Sequence, residues 1–324
     1  SQIGDQSSNI ARFAVLAAGW PVTIPGTTVN RACGSSQQAV DFAAQAVAAG
    51  ACDVIVAGGV ESMSRLPLGV TRQSGFPYGP RVMQRFDDFS FNQGLCAEAV
   101  ARKWGLTRVD LDAYAAASHQ RTAAAIDSGA FDAQIIVLST ETGEFDTDEG
   151  LRRGTSIETL GQLKPLFIED GLIHAGNSSQ ISDGAAALLI TTSARAHELG
   201  LRPWARIHTA VLAGSDPVTM LTAPIPATAK ALARAGLSMS DIGTFEVNEA
   251  FASVVLAWLK DTGASELVTN PSGGAIALGH PLGASGARLM TTMVHRMRRD
   301  GIRFGLQTMC EGGGMANATI VELL

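Results

Sequence analysis

The amino-acid sequence predicts an α/β protein of two similar halves, with a long insertion in the first. Three observations carry that reading. Two distant stretches share one grammar of polar turn, helix, glycine, apolar strand and GG turn: "VNRACGSSQQAVDFAAQAVAAGACDVIVAGG" (29–59), and "NPSGGAIALGHPLGASG" (270–286) running on to "FGLQTMCEGGG" (304–314). Their separation is too long for a solenoid and fits a duplicated unit. Apolar residues make up 46% and charged residues 17% of the 324 residues, enough to bury a large core. Between the repeats, residues 62–180 are rich in Arg, Asp, Gln and Phe. They carry the turn-rich patches "LPLGVTRQSGFPYGPR" and "TETGEFDTDEGLRRGTS", as expected of an excursion that carries binding function.

In chain order, "SNIARFAVLAAG" (8–19) has apolar residues at helical spacing and a Gly stop. "GTTVNRA" (26–32) is β-rich. Residues 35–49 read as a helix opened by Ser35 or Ser36 and closed by Gly50. "DVIVAGG" (53–59) is a continuous apolar run, as for a strand covered on both faces. Helices are predicted at 94–104 and 110–128. "ISDGAAALLITTSARAHELG" (181–200) reads as a strand and then a helix. "PIPATAKALARAG" (224–236) reads as an Ala-rich helix, and "FEVNEAFASVVLAWLKDTG" (245–263) as a strand end, a tight turn and a helix. The last repeat gives a helix at 287–301 and strands at 304–310 and 317–324.

The net charge of −6 argues against a general nucleic-acid binder, though a local basic patch still allows a small polyanionic ligand. The four cysteines, Cys33, Cys52, Cys96 and Cys310, form no CxxC pair and lie near no His cluster at zinc spacing. So large and cysteine-poor a chain reads as reduced and cytoplasmic. No apolar run reaches the length of a membrane span, and no signal peptide stands at the start. Low charge also points to surface covered by other subunits.

Four positions carry chemistry. A free cysteine is most often a small buried hydrophobe. Cys33, however, heads a helix, where the dipole and unpaired N–H groups favour a thiolate and can hold an oxyanion. His280, in "GHPLGASG", is fixed between Gly279 and Pro281, where it could take a proton from a thiol or donate to a carbonyl oxygen; otherwise it is a turn histidine. Cys310 ends a strand before three glycines, on the face where α/β sheets place ligands, and the Gly312 amide could donate to an oxyanion. Asn248, in "VNEAF", is either a helix cap or the holder of a water or carbonyl in the site. Cys52 and Cys96 read as filler.

Together these motifs resemble the thiolase family, which comprises acetyl-CoA acetyltransferases and 3-oxoacyl-CoA thiolases. "VNRACGSSQQA", "AGGVESMSR", "GNSSQISDGAAALL", "PIPATAKAL", "VNEAFA", "NPSGGAIALGHPLGASGAR" and "CEGGGMANATIVE" match in order and cover the whole chain. The resemblance implies the thiolase fold: two similar mixed five-stranded halves in a layered α-β-α-β-α arrangement with an inserted loop domain. The N-terminal half is 1–61 with 181–200, the insertion over the site is 62–180, and the C-terminal half is 201–324. The family's first strand and helix have no counterpart ahead of Ser1.

The resemblance also implies roles. Cys33 is the acylated nucleophile. His280 activates it and, with a water held by Asn248, forms one oxyanion hole. Cys310 is the acid/base, and the amides of Cys33 and Gly312 form the second hole. Ser179 touches the pantetheine arm, Phe167 and Phe251 line its tunnel, Ala250 belongs to the same binding segment, and Arg152 lies against the CoA nucleotide. Arg152 and Arg153 thus supply positive charge in the insertion. The implied reaction is CoA-dependent thiolysis of a 3-oxoacyl-CoA, with CoA as co-substrate, no permanently bound cofactor and no metal. The implied assembly is a homodimer or homotetramer.

One departure bears on the substrate. Many acetoacetyl-CoA thiolases have His-Met before the glycine of the substrate loop, where this chain has Asn92 and Gln93 before Gly94. That favours longer or branched 3-oxoacyl groups. The competing readings are condensation of two acetyl-CoA at the same site and a noncatalytic CoA- or lipid-binding member. The latter is expected to lose Cys33, His280 or Cys310, and all three are present.

Overall fold

A computed structural model describes residues 1–73, 75–141 and 143–324; Ser74 and Thr142, one in each turn-rich patch, lie outside the description. Helix α1 (Ile10–Ala17) opens on Asn9, whose side chain accepts from the Arg12 amide at 3.0 Å. Helix α2 (Ser35–Ala48) follows the Cys33 turn and gives way at Gly50 to β1 (Val54–Ser62). The insertion holds α3 (Pro80–Arg85), α4 (Gln93–Lys103), α5 (Arg108–Asp127), the hairpin β2 (Leu138–Thr140) and β3 (Gly143–Phe145), and α6 (Ile157–Gly161). The chain continues through β4 (Asp183–Thr191), α7 (Ser193–Glu198), β5 (Ala205–Gly214), α8 (Pro224–Ala235), β6 (Thr244–Val247), α9 (Ala252–Thr262), α10 (Ala275–Leu278), α11 (Ser285–Asp300), β7 (Phe304–Glu311) and β8 (Met315–Leu323).

The four-stranded sheet has the order β5-β8-β7-β6, with β6 parallel to β7 and the other pairs antiparallel. In the first half β1 pairs with β4, antiparallel, from Val54 opposite Thr191 to Ser62 opposite Asp183. Helices α2 and α11 lie side by side between these sheets, and α8 covers the far face of the larger one. Four layers of the expected five are thus formed by the described residues.

The difference from two five-stranded sheets is local. "GTTVNRA" makes only an isolated bridge, Arg31 to Cys33, because among the described residues no strand stands beside it to complete a ladder. In the second half the equivalent turn adds a single bridge, Thr269 to Phe245. The apolar run of β1 is covered on one face rather than two. Ile55 and Ala57 pack with Met290, Met293, Val40 and Ala43, whereas Val54, Val56 and Val60 point outward and are exposed. Alternation of side chains across a strand produces this split.

Buried polar groups lock the central helices. Ser36 Oγ of α2 accepts from the Ala287 amide in the first turn of α11 at 2.9 Å, so one helix supplies a cap for the other. Gln307 Nε2 donates to Gly286 O at 2.8 Å and to Gln37 Oε1 at 3.1 Å, tying both helices to β7. A buried donor left without a partner costs about 1–3 kcal/mol, so this network fixes register as well as stability. The helix heads are thereby held together.

The insertion leaves after β1 and returns at β4, at neighbouring points: Asp183 accepts from Ser62 Oγ at 3.0 Å and from Ser64 N at 2.9 Å. Its helices α4 and α5 pack on α9 of the second half. Among the described residues no helix is long and apolar enough to cross a membrane.

Candidate active site

Cys33 lies in a strained turn. Ala32 has φ +47°, a left-handed conformation costing an alanine about 1–2 kcal/mol. Ser35 holds it: its Oγ accepts from Arg31 N at 2.9 Å and donates to Ala32 O at 2.7 Å. The thiol is buried among Leu282, Leu289 and Met309. Glycine is required next to it, because a Cβ on Gly34 would overlap the Glu311 carboxylate.

Position at a helix head predicts a lowered thiol pKa, and the structure reverses that. Burial, then the Glu311 charge, push Cys33 up to about 12; its own backbone amide and the Gln93 side chain pull it down only in part. Desolvation outweighs the partial charge at the helix terminus. The resting group is a neutral thiol that needs a base.

His280 offers an unprotonated ring nitrogen, as such a base would. Its loop is fixed by the backbone: His280 N donates to Gln180 O at 3.1 Å. Ser285 Oγ lies 2.6 Å from Nδ1 and donates to Pro281 O at 2.9 Å. With its one proton so placed, Ser285 accepts from Nδ1–H, which leaves the lone pair on Nε2. Burial, then the Arg288 charge, lower His280 to about 4, so the imidazole is neutral across the physiological range.

Asn248 stands opposite. It follows β6, its amide donates to Thr308 O at 3.1 Å, and its Nδ2 is 3.4 Å from His280 Nε2. Its Oδ1 is buried with no hydrogen-bond partner among the described residues. The turn that carries it rests on Glu249, a buried carboxylate accepting from Tyr114 Oη at 2.8 Å, Ser118 Oγ at 2.7 Å and Ile276 N at 3.1 Å. The insertion therefore supports the Asn248 turn through α5.

Cys310 sits in β7 opposite Ala316 of β8, and its thiol is raised by burial first and by the neighbouring Cys33 second. Gly312 follows at the β7–β8 turn, and a Cβ there would stand 3.8 Å from Ala32 Cβ. The Cys310 turn and the Cys33 turn are therefore in contact.

The remaining predicted residues lie along one flank. Ser179 N donates to Ala250 O at 3.0 Å, and Ser178 bridges to Phe251, so "GNSSQ" and "VNEAF" run together. Phe167 and Phe251 stack edge to face with centroids 6.3 Å apart. Gly94 lets Phe167 in, since a Cβ there would lie within the ring. Arg152 is exposed, with its guanidinium on the Glu149 carbonyl at 2.8 Å, whereas Arg153 is engaged by Asp127 at 2.7 Å.

Family models for the thiolase N-terminal domain and the thiolase C-terminal domain match residues 2–194 and 201–323. The chain belongs to the thiolase family. It is 50% identical over 330 residues to the steroid 3-ketoacyl-CoA thiolase FadA6 of Mycobacterium tuberculosis, covering 99% of this chain and 81% of that protein. It is 44% identical over 327 residues to the 3-ketoacyl-CoA thiolase FadA of Escherichia coli K12, covering 98% of this chain and 84% of that one. Among solved structures, the acetyl-CoA acetyltransferase of Bacillus anthracis superposes with a TM-score of 0.90 at 36% identity, over 100% of this chain and 85% of that one.

This thiolase has site features that sequence reasoning missed. Ser285, five residues after His280, reads as an ordinary helix-opening serine, yet it sets the imidazole tautomer. Glu311 was hidden inside "CEGGG". It is buried beside both thiols, with Arg31 Nη1 at 3.4 Å, and burial pushes its carboxyl up to about 7.

Proposed function

We propose that this thiolase cleaves 3-oxoacyl-CoA with CoA, releasing acetyl-CoA and a shortened acyl-CoA through an acyl-Cys33 intermediate, in the degradation of fatty acids or related branched or steroid-type acyl chains. The observation that carries the reading is the convergence of two turns: a neutral His280, with its lone pair on Nε2, stands beside Asn248, and the Cys33 and Cys310 turns meet closely enough that Cys33 raises the Cys310 thiol. The similarity to the 3-ketoacyl-CoA thiolases FadA6 and FadA favours the degradative direction.

The steps balance without a further reagent. Cys33 gives its proton to His280 Nε2 and attacks the 3-oxo carbon. The oxyanion is met by His280 and a water on Asn248, a role supported by the unpartnered Asn248 Oδ1. The bond between C2 and C3 breaks, its electrons form the acetyl-CoA enolate, and the Cys310 thiol protonates C2. The Cys33 and Gly312 amides serve the enolate oxygen. CoA then yields its thiol proton to the Cys310 thiolate and attacks the acyl-cysteine. Cys33 leaves and recovers the proton from His280. Two thiols, one imidazole and two donor pairs account for every proton, so the reaction as drawn calls for no bound cofactor or metal.

Ser179, Ala250, Phe167 and Phe251 are proposed to hold the pantetheine arm and Arg152 the nucleotide. Residues 62–180 act as the loop domain over the substrate, between halves formed by 1–61 with 181–200 and by 201–324. A cytoplasmic homodimer or homotetramer completes the proposal.

The test is intact mass after mixing with a panel of 3-oxoacyl-CoA esters, then peptide mapping. The expected product is an adduct on Cys33 one acetyl unit smaller than the substrate acyl group. The ester that labels best identifies the acyl class. Folded protein that retains CoA and gives no adduct with any ester overturns the reading.

A further inference from the structure

Helix α4 opens with Asn92 and Gln93, and the structure gives them different tasks. Asn92 caps the helix: its Oδ1 accepts from Gly94 N at 2.9 Å and Leu95 N at 3.2 Å. Gln93, the first helical residue, is half-buried and turns toward the thiols. Its Nε2 is 3.6 Å from where a Cβ on Gly312 would stand, Ala32 Cβ of the Cys33 turn is 3.8 Å from the same point, and the Gln93 carboxamide is near enough to Cys33 to favour its thiolate. It therefore sits where the Cys33 turn meets the Cys310–Gly312 turn.

We infer that Gln93 is a further catalytic residue, its carboxamide N–H donating to the Cys33 sulfur and holding it as the attacking thiolate. The inference rests on Cys33 being the nucleophile. The charge around that sulfur makes a donor necessary. Glu311, at the end of β7, and Glu61, near the end of β1, both oppose a negative charge on Cys33. Cys310 lies against it, and His280 is neutral until it receives the thiol proton. The backbone amide of Cys33 and the Gln93 carboxamide are the groups that favour the thiolate. Hydrogen bonds to an ionised acceptor are about twice as strong as neutral ones, so the contact tightens as the sulfur loses its proton. No bond to Gln93 forms or breaks; the proton still goes to His280 Nε2.

The experiment is the rate at which iodoacetamide labels Cys33 in the full chain between about pH 6 and 10, followed by peptide mapping. Exposed Cys52 serves as an internal reference. Gln93→Met keeps the bulk and removes the donor; it is expected to slow Cys33 labelling about tenfold at pH 8 and move its alkaline rise upward, with Cys52 unchanged. Gln93→Glu keeps the shape and adds a negative charge. It suits the first turn of a helix, and it is expected to slow Cys33 further. Wild-type labelling of Cys33 in either folded variant overturns the inference. Should Gln93→Met unfold, exposing buried Cys96 to the reagent, Gln93→Glu alone decides. Failure of the underlying reading is seen separately, as absence of an acyl adduct on Cys33 in the wild-type protein.

Discussion

The two repeats carry the same three elements and use them differently. In the second, α11 is followed by β7 and β8, two strands flanked on both sides by neighbours and buried along nearly their whole length. In the first, α2 is followed by β1, which pairs only with β4 among the described residues and is alternately buried and exposed. The helix heads differ as well. The first stands behind Cys33. The second stands behind the His280 loop, its strand β7 leads through Cys310 to Gly312, and the neighbouring β6 leads to Asn248. Under the proposed mechanism this is a division of labour: one half offers the attacking sulfur, the other manages its protons. The more deeply buried half is the one that holds the imidazole and the second thiol.

The sharpest way to break this comparison is to remove each sulfur in turn. Cys33→Ala should abolish the acyl adduct and lower turnover by about 10⁴-fold or more, whereas Cys310→Ala should still accumulate acyl-Cys33 and fail to release it. Mass spectrometry distinguishes the two; equal adduct loss in both would dissolve the division of labour. Next comes stability. Trp258, fully buried against Phe245 with ring centroids 5.3 Å apart, should cost about 3–5 kcal/mol when truncated to Ala, read by denaturant unfolding.

Ser285→Ala should lower kcat about tenfold, or about 1.4 kcal/mol, with KM nearly unchanged, because the imidazole loses its tautomer lock and not its contact with substrate. Glu311→Gln sharpens the electrostatic side. Above about pH 7 the wild-type carboxylate is charged and opposes the Cys33 thiolate, so the variant should be labelled by iodoacetamide a few-fold faster; below about pH 6 both are neutral and the rates should coincide. The smallest effect is expected for Val56→Thr on the outward face of β1, within about 0.5 kcal/mol in the isolated chain. A loss as large as that at Trp258 would mean that this face is covered.

Much of the fold was legible because its signals are local. Helix α2 ends by the glycine expected, α4 and α5 start within two residues of their predicted positions, and the glycine-lined turns fall where the motifs put them. The site was legible as a set of turns. Its electrostatics were not. The dipole at the head of α2 is visible in sequence, but the burial of Cys33 that overrides it depends on Leu289 and Met309, more than two hundred residues away. Likewise "DVIVAGG" announces an apolar strand without saying which faces find neighbours, and "NQG" does not say that Asn92 caps while Gln93 reaches the thiol.

The closure at Ser62 and Asp183 has a consequence for how such a protein can be altered. More than a hundred residues leave and re-enter the core through one doorway, latched by a single aspartate on two serines. Because the entropy of closing a loop grows only with the logarithm of its length, the exposed turns within the segment can lengthen or shorten with little strain on β1 or β4, whereas α4 and α5 are built into the main core. The segment proposed to face the substrate is, in that sense, a cassette hinged at one doorway and seated along one packed face, so grafting residues 65–180 from a relative with another acyl preference must carry the α4 and α5 contacts with α9 along with it.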